Sequence, residues 1–166
     1  YINQLISQGI DGFEYLSKDI LVGKNVEISA KSEIIGPAII GDNTKIRPGA
    51  FIRGNVIIGN DCVIGNSTEI KNSILLDNVQ APHYNYIGDS VLGNGVHLGA
   101  GVICSNLKTD KSIVYINCED RINTNLRKLG AILGDGVDVG CGCVLNPGTV
   151  LCKNTSVYPL NSIRGV

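Results

Sequence analysis

The sequence predicts an all-β solenoid of short parallel strands, and three observations predict it. The first is a repeat: Val22, Ile28, Ile34, Ile40, Ile46, Ile52, Ile58, Ile64 and Ile70 recur every six residues without a break. The second is what stands four residues after each of them: Val26, Ser32, Ala38, Thr44, Ala50, Val56, Cys62, Thr68 and Ile74, nearly all small or β-branched. The third is composition. Of 166 residues 21 are Gly, aromatics make up 5% and there is no Met or Trp, so the apolar mass is Ile, Val and Leu spread among Gly and Asn. Such a mixture favours short strands and tight turns over helical bundles. A period of six fits neither the 3.6 of a helix nor simple alternation. It calls for a strand and a corner in each step, with one large and one small inward side chain.

The elements follow in order. Residues 1–21 carry a brief helical pattern (Ile2, Leu5, Ile6) and then Gly9 and Gly12, which predicts a short helix and a linker. Residues 22–166 form the repeat domain. Past Ile70 the phase shortens once to Leu75, runs through Ala81 and Ile87, shortens again to Leu92, and holds at Leu98 and Cys104. Residues 105–130 leave the repeat as a loop excursion with Lys108, Lys111, Arg121, Arg127 and Lys128 around a strand-like run, Ile113 to Ile116. This excursion reads either as a solvated loop or as a loop over a groove that receives a phosphorylated ligand. A last block runs Leu133, Val139, Leu145, Leu151, Val157 and Ile163, with Val137, Cys143, Thr149, Thr155 and Asn161 as its small inward partners.

Charge excludes some function classes. Lys and Arg number 14 against 15 Asp and Glu, a net charge of −1, which gives no electrostatic reason to expect nucleic acid or an anionic membrane surface. No apolar run approaches the ~20 residues of a membrane span, and no signal-peptide pattern opens the chain. Because the chain begins at Tyr1 and not at Met, residues before it are expected. Six Cys show no C-x-x-C spacing, which points to a reduced, cytoplasmic protein and not to a disulfide scaffold. Cys141 and Cys143 form a C-x-C, but Cys143 and Cys62 fall on small inward positions, where packing explains them. With only His83 and His97 as imidazoles, no metal site is expected.

Three steps close one coil, so residues 18 apart lie one above the other. Arg53 and Lys71 stand in that relation, and each follows an inward Ile, so both point outward from one face; Arg47 belongs to a neighbouring face. If the two slips are shortened steps, Ile87 and Cys104 begin the next strands of the same face. Tyr86 then points outward there, His83 sits at the corner entering the face and Asn106 at the corner leaving it. Two stacked cations repel, and a phosphate between them would account for both. Imidazole exchanges its proton near neutral pH, which makes His83 a general-base candidate.

Lys71, then His83, then Tyr86-Ile87-Gly88-Asp89, Leu98-Gly99-Ala100-Gly101 and Asn106 resemble the acetyltransferase domain of the bifunctional glucosamine-1-phosphate N-acetyltransferase / N-acetylglucosamine-1-phosphate uridyltransferase family. That family belongs to the hexapeptide-repeat acyltransferases, whose coils build a left-handed parallel β-helix. The resemblance covers residues 22–166 and implies acetyl-CoA as co-substrate, an amino-sugar phosphate as acceptor and a homotrimer. It assigns His83 as the base, Arg53 and Lys71 to the phosphate, and Tyr86 to the sugar. His97 stands where the family has a sugar-contacting Asn. Ala100 and Asn106 fall at coenzyme contacts, and Cys141 and Pro159 replace a Ser and an Ala there. Leu107 stands where the family has a coenzyme-contacting Tyr, and the basic tail reaching the coenzyme phosphates is replaced at most by Arg164.

Two functions are therefore expected to compete. One is an acyl-CoA-dependent N-acyltransferase acting on an amino-sugar 1-phosphate such as glucosamine 1-phosphate. The alternative is a non-catalytic module that binds a sugar phosphate or sugar nucleotide, or trimerises, in association with a nucleotidyltransferase-like protein.

Overall fold

The structure is a computed structural model that describes residues 1–165. Its repeat folds as a three-sided parallel β-helix, with strands of two to four residues joined by corners. The first face begins with β2 (Ile20–Val22) and continues through Ala38–Ile40, Val56–Ile58 and Ile74–Leu75. The second begins with Glu27–Ile28 and includes Gln80–His83 and His97–Leu98. The third runs Glu33–Ile35, Phe51–Arg53, Glu69–Lys71, Tyr86–Gly88, Ile103–Cys104, Val144–Leu145 and Ser162–Ile163. Among the described residues these faces hold eight, seven and seven strands.

The inward ladder sets the register. Ile52, Ile70, Ile87, Cys104, Leu145 and Ile163 pair rung on rung along the third face. Ile52, Ile70, Ile87 and Cys104 are fully buried, as are Ile64, Leu75, Leu92 and Leu98. Hydrogen bonds between coils join residues 18 apart early in the chain, as from Cys62 N to Thr44 Oγ1, and 17 apart in the middle, as from Asn85 N to Thr68 Oγ1. Both shortened steps fall where the chain turns from the third face to the first. There the small inward position passes to Ser73, which is buried, whereas Ile74, expected inward, points outward and is 40% exposed. Removing one residue from that corner moves every later side chain back by one, so the hydroxyl fills the slot.

Corners explain the Asn, Asp and Gly content. Asn25, Asn43, Asp61, Asn72, Asn78, Asp89 and Asn154 all take left-handed backbone, which short polar side chains tolerate. At one corner the side chains also cap the neighbouring coil: Asp42 Oδ1 accepts from Lys24 N at 2.7 Å, Asn60 Oδ1 from Asp42 N at 2.7 Å and Asp77 Oδ1 from Asn60 N at 2.7 Å. Backbone donors that no strand uses are satisfied in this way.

The segment before the repeat holds more than a helix and linker. Helix α1 (Ile2–Gln8) is followed by β1 (Glu14–Ser17), which folds back antiparallel on β2, so the solenoid opens at Ile20 and not at Val22. Ile6 of α1 packs on outward-facing Leu21 and Ile39, covering the first coils of the first face. Further along, the same outward column continues through Ile57, Ile74, Val91, Ile132 and Val150. Among the described residues no helix is long and apolar enough to cross a membrane. The excursion of 105–130 contains a hairpin, Tyr115–Asn117 against Arg121–Asn123.

Burial also fixes thiol chemistry. It pushes the Cys62 thiol up to about 11 and the Cys104 thiol up to about 12. Unfolded thiols lose their proton near ~8.5, so the stability these two contribute is complete below that pH and is lost as pH rises toward the folded values. Iodoacetamide at pH 8 is expected to label exposed Cys118, Cys141 and Cys152 in the native protein, and Cys62, Cys104 and Cys143 only after unfolding. Peptide mass spectrometry reads the pattern; native labelling of Cys104 would contradict the ladder.

Candidate functional site

The third face carries two outward columns. Ile35 pairs with Arg53, Lys71 stands one rung above Arg53, and Lys71 pairs with Gly88. Tyr86 belongs to the other column, over Glu69 and Phe51 and under Ile103, not to the Arg53–Lys71 column where it was expected. The two columns still meet. A Cβ on Gly88 would lie 2.6 Å from the Tyr86 hydroxyl and 2.7 Å from Asn106 Nδ2, so the phenol leans across the bare glycine toward Lys71's column. Burial pushes the Tyr86 phenol above its ordinary value, against a hydrogen bond from Asn106 that lowers it. The ring therefore presents a neutral hydroxyl near neutral pH.

Each of the stacked cations is paired with a carboxylate. Arg53 Nη1 donates to Glu69 Oε1 at 2.5 Å, and its guanidinium lies 5.7 Å from the Phe51 ring centre. Lys71 Nζ stands 3.7 Å from Asp89 Oδ2, and the Asp89 side chain is only 9% exposed. Asp89 also accepts from Asn72 at 2.6 Å and from Asn106. Glu69 and Asp89 complete the site in a way the stacking count missed. Glu69 shares Lys71's coil and Asp89 follows Gly88 on the next one, and neither pairing can be read from the repeat.

His83 ends the strand Gln80–His83 at the corner between second and third faces. Its imidazole is exposed, and among the described residues no side chain holds it. Its backbone is fixed instead. Asn85, 2% exposed, fills the small inward slot of this coil; its Oδ1 accepts from His83 N at 3.2 Å and its Nδ2 donates to Gly99 O at 2.8 Å. An amide in a slot that holds small or β-branched residues elsewhere, Asn161 apart, is a signal that the sequence carried. Above His83 the corner repeats: Gly101 N donates to His83 O, Gly142 N to Ala100 O and Leu160 N to Cys141 O. His83, Ala100, Cys141 and Pro159 therefore form one continuous column along this edge. Beside them Gly101 leaves the surface open, since a Cβ there would touch only Gly142, at 3.9 Å, whereas Leu160 covers Gly142, 2.8 Å from where its Cβ would stand.

Other expected residues are not brought together. His97 lies on the second face, where its Nδ1 is 2.8 Å from Asp138 Oδ1, away from Arg53, Lys71 and Tyr86. Asn106 stands at the far margin of the third face, tied to Asp89 and separated by the width of that face from Ala100, Cys141 and Pro159. Arg47 follows the strand Lys45–Ile46 of the second face. Among the described residues no three His, Cys, Asp or Glu side chains cluster as metal ligands would.

Comparison with known proteins fits this architecture. A family model described as the GMPPB C-terminal domain matches residues 34–160. The Bifunctional protein GlmU of Methanococcus maripaludis is 36% identical over 85 residues, 51% of this chain and 21% of its own length. The Bifunctional sugar-1-phosphate nucleotidylyltransferase/acetyltransferase of Sulfurisphaera tokodaii is 35% identical over 88 residues, 52% of this chain and 22% of its own. The chain thus spans about a fifth of the length of these curated relatives. Among solved structures, a hexapeptide transferase family protein from Anaplasma phagocytophilum superposes with a TM-score of 0.64 at 20% identity, over 82% of this chain and 72% of that one, and shares the fold.

Proposed function

Since this chain belongs to the GMPPB C-terminal domain family and is a hexapeptide-repeat protein related to GlmU, we propose that it transfers an acyl group from acyl-CoA to the amine of an amino-sugar 1-phosphate such as glucosamine 1-phosphate. The observation that carries this reading is the edge column: the candidate base His83 stands at the head of Ala100, Cys141 and Pro159, beside Tyr86. Short side chains and the open Gly101 along that edge suit an extended pantetheine arm, with the thioester at His83. The sugar then lies over Tyr86, and its phosphate reaches Lys71 and Arg53. To do so it competes with Asp89 and Glu69, which keep both cations poised but neutralised while no ligand is bound.

The chemistry needs no covalent enzyme intermediate. The amine nitrogen attacks the thioester carbonyl and forms the C–N bond, His83 accepts the proton released from nitrogen, and the C–S bond breaks as the CoA thiolate departs and is protonated. A backbone N–H at the same edge stabilises the tetrahedral oxyanion. A homotrimer agrees with this reading, because the outward aliphatic column of the first face leaves Ile74 and Val91 about two-fifths exposed, at 40% and 38%.

A second reading, that of a binding module associated with a nucleotidyltransferase-like protein, is favoured by the internal pairing of Arg53 and Lys71. The deciding experiment is release of free CoA from acetyl-CoA with a panel of amino-sugar 1-phosphates, alongside calorimetry with the same sugars. Turnover with any acceptor supports the enzyme; binding without turnover on the whole panel supports the module. In either case Arg53→Ala is expected to weaken sugar-phosphate binding about tenfold, the scale of one lost charge-assisted hydrogen-bonded contact, and Arg47→Ala to leave it unchanged. Equal losses would mean that the phosphate does not sit on the third face.

A further inference from the structure

The excursion does not lie free on the surface. It arches over the last coils of the third face and lines with them a half-open cavity of about 410 Å³. The wall on the solenoid side is the column that begins with Arg53 and Lys71, continued upward through Ser105, Asn146 and Arg164. The opposite wall comes from the excursion, with Lys108, Tyr115 and Arg121.

Charge distinguishes this cavity from the site below it. Lys108 is offset by Asp110 at 3.7 Å and donates to Ser112. Among the described residues, neither Arg121 nor Arg164 makes an ion pair, in contrast to Arg53 and Lys71. Arg121 is also braced: its guanidinium stacks on the Tyr115 ring at 3.9 Å, which orients the plane and leaves its N–H edge available. Two guanidiniums, one on the loop and one on the solenoid, face a space far larger than a single phosphate needs and within the range of small-molecule pockets. One carboxylate, Asp110, also lines the cavity, turned toward Lys108 and accepting from Ser112 N and Oγ, and neutral groups complete the lining. Asn146 spends its Nδ2 on Ser162 Oγ and Ile163 O, at 3.0 and 2.8 Å, so its carbonyl oxygen remains as an acceptor for a ligand hydroxyl.

We infer that this cavity binds the diphosphate group of a nucleotide-sized ligand, with Arg121 and Arg164 each taking one phosphoryl group through paired N–H···O bonds. It is separate from the proposed acyl-transfer edge, since the inward ladder Cys104–Leu145–Ile163 runs between the Arg164 column and the Cys141–Pro159 edge. The diphosphate could belong to a sugar nucleotide or to an adenine nucleotide.

Isothermal titration of the whole chain with inorganic pyrophosphate, UDP and ADP at low ionic strength tests the assignment, with no acyl donor present, so its outcome is independent of whether acyl transfer occurs. Saturable binding is expected, weakened at least tenfold by Arg121→Gln and by Arg164→Gln separately and changed less than twofold by Arg47→Ala, on the second face. Preference for UDP or for ADP would name the nucleotide and support the site either way. Absence of binding at millimolar ligand would overturn the inference, as would parent-like binding by both Gln variants or an equal loss in Arg47→Ala. Both arginines are exposed, so a native circular dichroism spectrum is expected for each variant; should one misfold, the other alone still decides.

Discussion

His83→Ala is expected to lower acyl-transfer turnover by about 10²-fold or more, the scale of a lost general base, with the fold and sugar-phosphate affinity nearly intact. The separation is possible because the imidazole contributes nothing to the inward ladder. What fixes the corner is main chain: the His83 amide donates to buried Asn85 and its carbonyl accepts from Gly101, and both bonds survive truncation to Ala. Turnover measured by thiol release, with the thermal midpoint recorded on the same preparation, gives the comparison. A loss below threefold at unchanged stability would remove His83 from the chemistry. A large loss accompanied by a fallen midpoint would place its role in structure.

Gly65→Ala should be the most damaging single methyl in the solenoid. The added Cβ would lie 1.7 Å from the Pro82 carbonyl oxygen and 2.1 Å from its carbon, all backbone of the next coil. No rotamer relieves that contact, and the coils cannot part locally because Arg47 N and Tyr84 N are bonded across the same corner, to Ile64 O and Asn66 O. A cost of about 3 kcal/mol is expected, at the upper end for overpacking, which for a chain of this size corresponds to roughly 10 °C in Tm. Gly95→Ala is the control. It has positive φ but nothing within 4 Å of a new Cβ, so only backbone strain of about 1 kcal/mol is at stake. Similar midpoints for the two variants would show that neighbouring coils slide more freely than the register implies. Because Pro82 precedes His83, Gly65→Ala should also reduce turnover beyond what its stability loss explains.

Much of this architecture was legible in the residues. A ladder with one large inward side chain every six positions leaves an unbroken trace, and the two five-residue steps betray the shortened corners by moving the phase. The stacking of Arg53 under Lys71 and the corner position of His83 followed from counting alone. The count failed where side chains reach along or between coils. It named Ile74 as the inward partner, although the shortened corner hands that slot to Ser73. It passed over Glu69 and Asp89, because pairing depends on where a long side chain leans, which periodicity does not encode. Placing Arg164 in the column of Arg53 was beyond its reach as well. The interval between paired rungs across the excursion is 41 residues, as in the bond from Ala131 N to Ser90 Oγ, and nothing in the excursion itself marks the face on which the chain re-enters. The cavity against Arg121 needed the folded hairpin.

A coil that touches only the coil above and the coil below gives the molecule a linear order of loss. Inward residues near the ends, Ile28, Ile34, Val157 and Ile163, are only partly buried, whereas Ile64, Ile70, Ala81, Ile87 and Leu98 are sealed. Fraying should therefore advance from both ends toward the middle, with amide exchange fastest at the outer coils and slowest around Ile70 and Ile87. The coils sealed longest are those that hold Lys71, His83 and Tyr86. In moderate denaturant the third face and its histidine corner should outlive the ends, while the Arg164 wall of the upper cavity, carried on the last coil, is released first.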